Sequence, residues 1–207
     1  MVGIVDYGVG NLFSLSSSFA AIGEQAIVSR DRAVLATCER LVLPGVGAFG
    51  DAARLLRESG MADFVLAEAA AGKPILGICL GMQLLFERSL EYGDHRGLGL
   101  IPGTVRPIAE TIPAGLKIPH IGWNALHFVK KNPLFRYLKE GDFVYFVHSF
   151  HGTDCEDSTV AVTEYGASLV AAVAKDNVLG CQFYPEKSGA VGLSILRAFA
   201  EGEVGAC

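Results

Sequence analysis

A chain of 207 residues, 51% hydrophobic and 19% charged, fits one compact domain at roughly 150 residues per domain and carries enough apolar side chain to bury a core. Seventeen Lys and Arg against 22 Asp and Glu leave a net charge of -5, so the balance offers no basic surface for nucleic acid or for an anionic membrane. Apolar runs stop well short of the ~20 residues of a membrane span and Met1 to Tyr7 holds no basic leader, so a cytoplasmic protein with one domain over 1–207 is expected.

In chain order, Val2 to Asp6 reads as a strand, Tyr7-Gly8-Val9-Gly10-Asn11 as a turn, and Leu12, Leu15, Phe19 and Ile22 recur at helical spacing. Ala26 to Ser29 predicts a second strand, Asp31 opens a short helix, and Arg40 to Leu43 predicts a third strand stopped by Pro44-Gly45. Asp51 is expected to cap a helical segment whose apolar faces hold Leu55, Leu56, Phe64, Val65 and Leu66. The unbroken apolar run of Pro74 to Ile78 suits a central strand covered on both sides, and a helix over Leu80 to Arg88 follows it. Glu87 to Leu100, rich in Gly and charge, is expected as loop and mobile surface. Beyond residue 100 short β-branched and aromatic runs predict strands at Thr104 to Ile108, Asn124 to Val129, Phe143 to Val147, Thr159 to Thr163, Leu169 to Ala174 and Val178 to Phe183. A last amphipathic helix spans about Gly192 to Ala200. The fold class is therefore α/β: a mostly parallel central sheet with helices on both faces, extended or flanked by a strand-rich second half.

Gly77-Ile78-Cys79-Leu80-Gly81 sets a cysteine between two glycines where a buried strand meets a helix. In such an elbow a sharp bend lifts the side chain out of a crowded backbone, which is why its neighbours are small. Free N–H groups at the start of the helix favour a thiolate, and the Leu80 N–H points where an oxyanion could form. Cys79 is thus the candidate nucleophile, against the plainer alternative of a small buried side chain. Leu43 to Gly50 adds a glycine-rich loop after a strand, able to offer N–H groups to an oxyanion or carboxylate; it lacks the GK[ST] ending of a P-loop. Cys38, Cys79, Cys155, Cys181 and Cys207 are an odd set without CxxC spacing, and no histidine shows ligand spacing, so neither a disulfide framework nor a metal is expected. His120 is read as bonding locally, His127 as surface or satisfied core, and His95 as a loop residue.

Six segments in this order and spacing, Asp6 to Leu12, Pro44 to Gly50, Gly77 to Leu84, Pro119 to Asn124, Phe146 to Phe150 and Gln182 to Ser188, resemble the class I glutamine amidotransferase family over nearly the whole chain. Within it the chain is most similar to the glutaminase branch that serves imidazole glycerol phosphate synthesis in the histidine pathway. The resemblance implies that Cys79 attacks the side-chain amide of L-glutamine to give a thioester and ammonia, with Leu80 and the Gly45-Val46 loop as oxyanion hole. It implies that Gly47, Gln83, Ser149 and Phe150 hold glutamine, and that Glu186 orients the base. Ammonia then passes to a cyclase (synthase) subunit in a heterodimer, with Asn11, Trp123 and Lys187 facing that partner and no cofactor required. A paralogue serving amidino-sugar synthesis is the neighbouring alternative; the His120 to Asn124 segment disfavours the chorismate-using branches.

One position departs from the family: Tyr184 stands where the family has its basic histidine. A phenol of pKa about 10 is ionised in roughly one molecule per thousand at neutral pH, which makes it a poor acceptor for the thiol proton. Three readings stay open: Cys79 ionised by the helix start alone, His148 or His151 substituting as base, or a catalytically silent chain that docks and regulates.

Overall fold

The computed structural model describes residues 1–202; of the cysteines, Cys207 lies outside the described residues. The first half alternates β1 (Val2–Val5), α1 (Leu12–Ala21), β2 (Ala26–Ser29), α2 (Arg32–Ala36), β3 (Arg40–Leu43), α3 (Phe49–Glu58), α4 (Met61–Ala70), β4 (Ile75–Ile78) and α5 (Leu80–Leu85). The second half runs β5 (Phe86–Ser89), β6 (His95–Arg96), β7 (Ile101–Pro107), β8 (His120–Ala125), β9 (His127–Phe128), β10 (Phe143–His148), β11 (Phe150–Thr153), β12 (Thr159–Glu164), β13 (Ser168–Lys175), β14 (Val178–Cys181) and α6 (Gly189–Glu201).

Eight strands form the central sheet in the order β2-β1-β3-β4-β14-β13-β12-β9. From β2 to β14 every pairing is parallel; β13, β12 and β9 continue it antiparallel. Because successive side chains leave opposite faces of a strand, β3 sends Leu41 and Leu43 to one side and Val42 to the other. The first face packs Phe49, Leu56 and Val65 of α3 and α4; the second packs Leu15 and Phe19 of α1 with Ile195 and Phe199 of α6. This is the expected α/β arrangement. Two smaller sheets, β10-β8 and β11-β7-β5-β6, flank the central one.

Several boundaries differ from the sequence expectations. The segment around Asp51 is two helices, broken where Gly60 takes a left-handed φ of 69°, and Ala48 rather than Asp51 is the N-cap. Asp51 instead sits in the first turn of α3, where a carboxylate complements the helix dipole. The helix after Cys79 ends at Leu85, because Phe86 is drawn into the buried pairing of β5 with β7, opposite Ile101. Glu87 to Leu100 therefore carries two short strands, His95 lies in one of them, and Glu91 is buried within it. The single strand expected over Asn124 to Val129 splits at Leu126: β8 pairs with β10 and β9 with β12. The strand β11, which starts at the last residue of the Phe146 to Phe150 segment, had no expectation.

Phe19 is fully buried between α1 and the sheet. Truncating it to Ala is expected to lower unfolding free energy by about 3–5 kcal/mol in a urea titration; a loss below about 1 kcal/mol contradicts this packing.

Candidate active site

Cys79 lies between β4 and α5 with φ 54° and ψ -112°, a conformation side chains rarely adopt and one that costs on the order of 1–3 kcal/mol. Its glycine neighbours explain how the chain holds it there. A Cβ at Gly81 would run into the carbonyl oxygen of Leu43, and one at Gly45 would come within 2.6 Å of the Gly81 nitrogen. The β3 exit and the elbow thus meet backbone to backbone. Tyr7 ties the same loop down by donating its hydroxyl to the Pro44 carbonyl at 2.8 Å.

A cavity of about 240 Å³ opens over the elbow, lined by residues from six segments, among them Val46, Gly47, Cys79, Leu80 and Gln83. Ser149, Phe150 and Tyr184 close its other side, with Glu91 and Tyr92 at the rim. Nine of the residues singled out from sequence, His148 among them, therefore come together around one space. Gly45 does not line it; its role is the close approach to Gly81. Asn11, Trp123 and Lys187 also lie off the cavity, with Trp123 and Lys187 exposed and Asn11 half-buried ahead of α1 without a side-chain capping bond. The Trp123 ring packs 5.9 Å from Tyr145, whose carbonyl accepts from the Tyr184 N–H at 3.0 Å, and Lys187 Nζ sits 4.6 Å over the Tyr184 ring. An exposed face thus reaches the base position through one contiguous set of contacts.

Around the thiol the polar groups are mostly spoken for. Gln83 Nε2 donates to the Phe150 carbonyl at 3.1 Å and to Gln182 Oε1 at 3.0 Å, while Gln182 Nε2 approaches Cys79 Sγ at 3.7 Å. Gln182, Glu91 and Tyr92 carry no role in the sequence reading. The signal for Glu91 was its carboxylate in an otherwise loop-like segment; folded, it is buried and accepts from the Phe49 N–H at 2.7 Å, so it caps the start of α3.

The thiolate expected from the helix start does not form. Burial dominates and pushes the Cys79 thiol up to about 11, although hydrogen bonds with Tyr184 and the Leu80 N–H pull the other way. A six-residue helix has too small a dipole to offset that desolvation. Tyr184 is itself held far above the usual phenol range, chiefly by burial and then by the neighbouring Cys79. Neither group is charged near neutrality. Glu186, two residues on, is pushed up to about 7 by burial, and its Oε2 has no partner. No hydrogen bond joins Glu186 to Tyr184, so the carboxyl has no imidazole to orient.

The two histidines weighed as substitutes point elsewhere. His148 lines the cavity, but its Nδ1 meets the Phe150 carbonyl at 2.8 Å and its Nε2 meets His120 at 3.0 Å. His151 meets the Thr111 hydroxyl at 2.9 Å. Burial drives them down to about 3 and about 4, which leaves both neutral at pH 7. His120 bonds locally, to Asn124 at 2.8 Å, and His127 pairs with Glu140 at the surface, in line with the sequence reading. Among the described residues no group of three or more His, Cys, Asp or Glu could hold a metal ion, and no helix is long and apolar enough to cross a membrane.

The Glu186 carboxyl gives a pH dependence with a defined sign. Its folded pKa of about 7 lies above the ordinary carboxyl value of 4.5, so between those values the folded chain holds a proton that the unfolded chain has released. Stability therefore falls as pH rises from about 4.5 to about 7. Glu186→Gln is expected to flatten that part of the profile in urea titrations across pH; an unchanged slope contradicts the burial of an unpaired carboxyl.

Comparison with known proteins agrees with this architecture. A sequence model described as "Glutamine amidotransferase class-I" matches residues 4–201. "Imidazole glycerol phosphate synthase subunit HisH" of Caldanaerobacter subterraneus is 49% identical over 97% of this chain and 98% of its own. The protein of the same name from Wolinella succinogenes is 49% identical over 97% and 99%, and that of Aquifex aeolicus 48% identical over 95% and 94%. Among solved structures, one described as "Crystal structure of glutamine amidotransferase" superposes with a TM-score of 0.75 at 20% identity, covering 97% of each chain. "Structure of PurLQS from Thermotoga maritima" gives 0.74 at 22%, covering 96% of each, and both show the fold alone. With the family match spanning nearly all of the described residues and relatives at almost half identity, the chain belongs to the class I glutamine amidotransferases.

Proposed function

We propose that the chain is the glutaminase subunit of an imidazole glycerol phosphate synthase, hydrolysing L-glutamine through Cys79 and passing ammonia to a cyclase subunit in a heterodimer, with its turnover limited by Tyr184. The observation that carries the chemistry is the strained Cys79 elbow opening into a small cavity beside the Leu80 N–H and the Val46-Gly47 loop. Full-length identity near one half to proteins named for that subunit favours this branch over an amidino-sugar paralogue.

In this reading Sγ of Cys79 adds to the side-chain carbonyl carbon of glutamine, and the oxygen takes up negative charge where the Leu80 N–H and the Val46-Gly47 loop can stabilise it. The carbon–nitrogen bond then breaks, the thiol proton leaves on the nitrogen as part of ammonia, and a thioester remains. Water attacks the thioester, restores the thiol and gives glutamate, so the sum is glutamine plus water to glutamate plus ammonia. Ser149 and Phe150 present backbone groups to the substrate's main-chain end, and the buried Glu91 carboxylate at the rim suits its α-ammonium group. Gln83, already fixed to Phe150 and Gln182, braces that wall.

Each proton transfer needs an acceptor of suitable pKa near the sulfur, and Tyr184 offers a neutral phenol. Slow turnover follows from the residues present, without loss of the binding site. The second reading, a silent docking and regulatory subunit, is favoured by the same Tyr184 and by the orphaned Glu186. Glutamate release is the test, measured with a cyclase partner and its ribotide present. Tyr184→His is expected to raise the rate by about 10²- to 10⁴-fold, the usual worth of a general base, and Cys79→Ala in that background to abolish it. Equal rates in the chain as it stands and in Tyr184→His would contradict Tyr184 as the limit. No glutamate from either would leave the silent subunit as the correct reading.

A further inference from the structure

His120, fully buried, and His148, buried at the cavity wall, lie side by side on the paired strands β8 and β10, directly opposite each other in register. They connect two places that matter. At one end His120 Nε2 meets Asn124 Oδ1 at 2.8 Å, and the Asn124 amide nitrogen donates to the Glu164 carbonyl at 3.0 Å. At the other end His148 Nδ1 meets the Phe150 carbonyl at 2.8 Å, the same oxygen that Gln83 holds at the wall of the cavity. Between them His120 Nδ1 meets His148 Nε2 at 3.0 Å.

Counting protons shows that this chain of contacts cannot be satisfied in full. Asn124 Oδ1 and the Phe150 carbonyl are acceptors, so each outer contact needs an N–H from its ring, and the inner contact needs a third. Two neutral imidazoles carry two N–H groups between them. A third proton would place a cation in a buried aromatic setting, where His120 is stacked between Phe146 and Tyr165. Burial opposes that charge at both rings, and no carboxylate bonds to either. The other groups facing the pair are the neutral His151 and the Tyr165 hydroxyl, which donates outward to the Lys117 carbonyl.

Two arrangements remain, and the shared inner contact makes both rings adopt the same tautomer in each. With Asn124 Oδ1 toward His120, both rings carry the proton on Nε2, and the Phe150 carbonyl faces a bare nitrogen and is held by Gln83 alone. With the Asn124 amide turned over, both rings carry it on Nδ1 and His148 donates to Phe150, at the cost of the bond to Glu164. We propose that Asn124, His120 and His148 form a tautomer relay in which the orientation of the Asn124 amide sets whether His148 joins Gln83 in holding the Phe150 carbonyl at the glutamine pocket. His148 is then a positioning residue, and the relay reaches from the strand that exposes Trp123 to the substrate wall. Its effect on glutamine rests on the glutaminase reading; the tautomer coupling does not.

Nitrogen-15 spectroscopy of the full chain labelled in histidine reads the tautomers directly, whether or not the protein turns over glutamine. The expected result near neutral pH is Nε2–H on both His120 and His148, and Nδ1–H on both in Asn124→Ala, where the competing acceptor is gone. A mixed pair, a doubly protonated ring, or tautomers unmoved by Asn124→Ala would overturn the relay. In a Tyr184→His background Asn124→Ala is further expected to lower KM for glutamine about five-fold, the worth of one hydrogen bond, with kcat within about two-fold. An unchanged KM alongside the tautomer change would overturn the link to the pocket. Absence of turnover in the Tyr184→His parent would instead count against the glutaminase reading, with the spectra still deciding the relay.

Discussion

Gly81 lies so close to the Leu43 carbonyl, and Gly45 so close to Gly81, that no side chain fits between the elbow and the exit of β3. That backbone contact holds Cys79 at a positive φ, and it also sets the Val46-Gly47 loop beside the thiol. The strain at Cys79, on the order of 1–3 kcal/mol, persists because β4 is paired on both sides, to β3 and to β14, and cannot shift to relieve it. Tyr7 closes the arrangement from the far side of the loop. Any side chain larger than hydrogen at Gly81 or Gly45 would part these segments and dissolve the cavity before it touched the chemistry.

The electrostatics of the site run against the usual picture of an activated cysteine. Dry surroundings that strengthen an oxyanion contact also penalise the thiolate, and here burial wins at Cys79, Tyr184 and Glu186 alike. A histidine at position 184 would give the Glu186 carboxylate a partner and the sulfur an acceptor in one step. With tyrosine there, three ionisable groups sit together, Cys79 and Tyr184 neutral near pH 7 and Glu186 only partly ionised. The binding wall is built independently of them, from Gln83, Gln182 and the Phe150 carbonyl.

Much of this was legible in the chain. The order of strands and helices through residue 85 is legible, the division of the Asp51 segment into two helices apart, because β1 runs into the Tyr7 to Asn11 turn and β3 and β4 are short apolar runs bounded by proline, and the Gly-x-Cys-x-Gly spacing has a steric cause that the folded backbone makes explicit. Boundaries failed where tertiary pairing overrode local preference: Phe86 leaves the helix for a buried strand pairing, and Leu126 breaks one expected strand between two sheets. Net burial of Cys79 was not legible, since the helix start is local while desolvation comes from the whole molecule. Nor was the pairing of His120 with His148, 28 residues apart and joined only through the β8–β10 register.

The central claim is that Cys79 is a built nucleophile whose only missing part is a base at position 184. Mass spectrometry after exposure to an electrophilic glutamine analogue tests it most directly, since capture needs the pocket and the thiol but no hydrolysis. The account predicts one adduct per chain, on Cys79, formed much faster in Tyr184→His than in the chain as it stands, with free glutamine protecting both. Equal rates in the two proteins, or an adduct on Cys38, Cys155 or Cys181 instead, would contradict it.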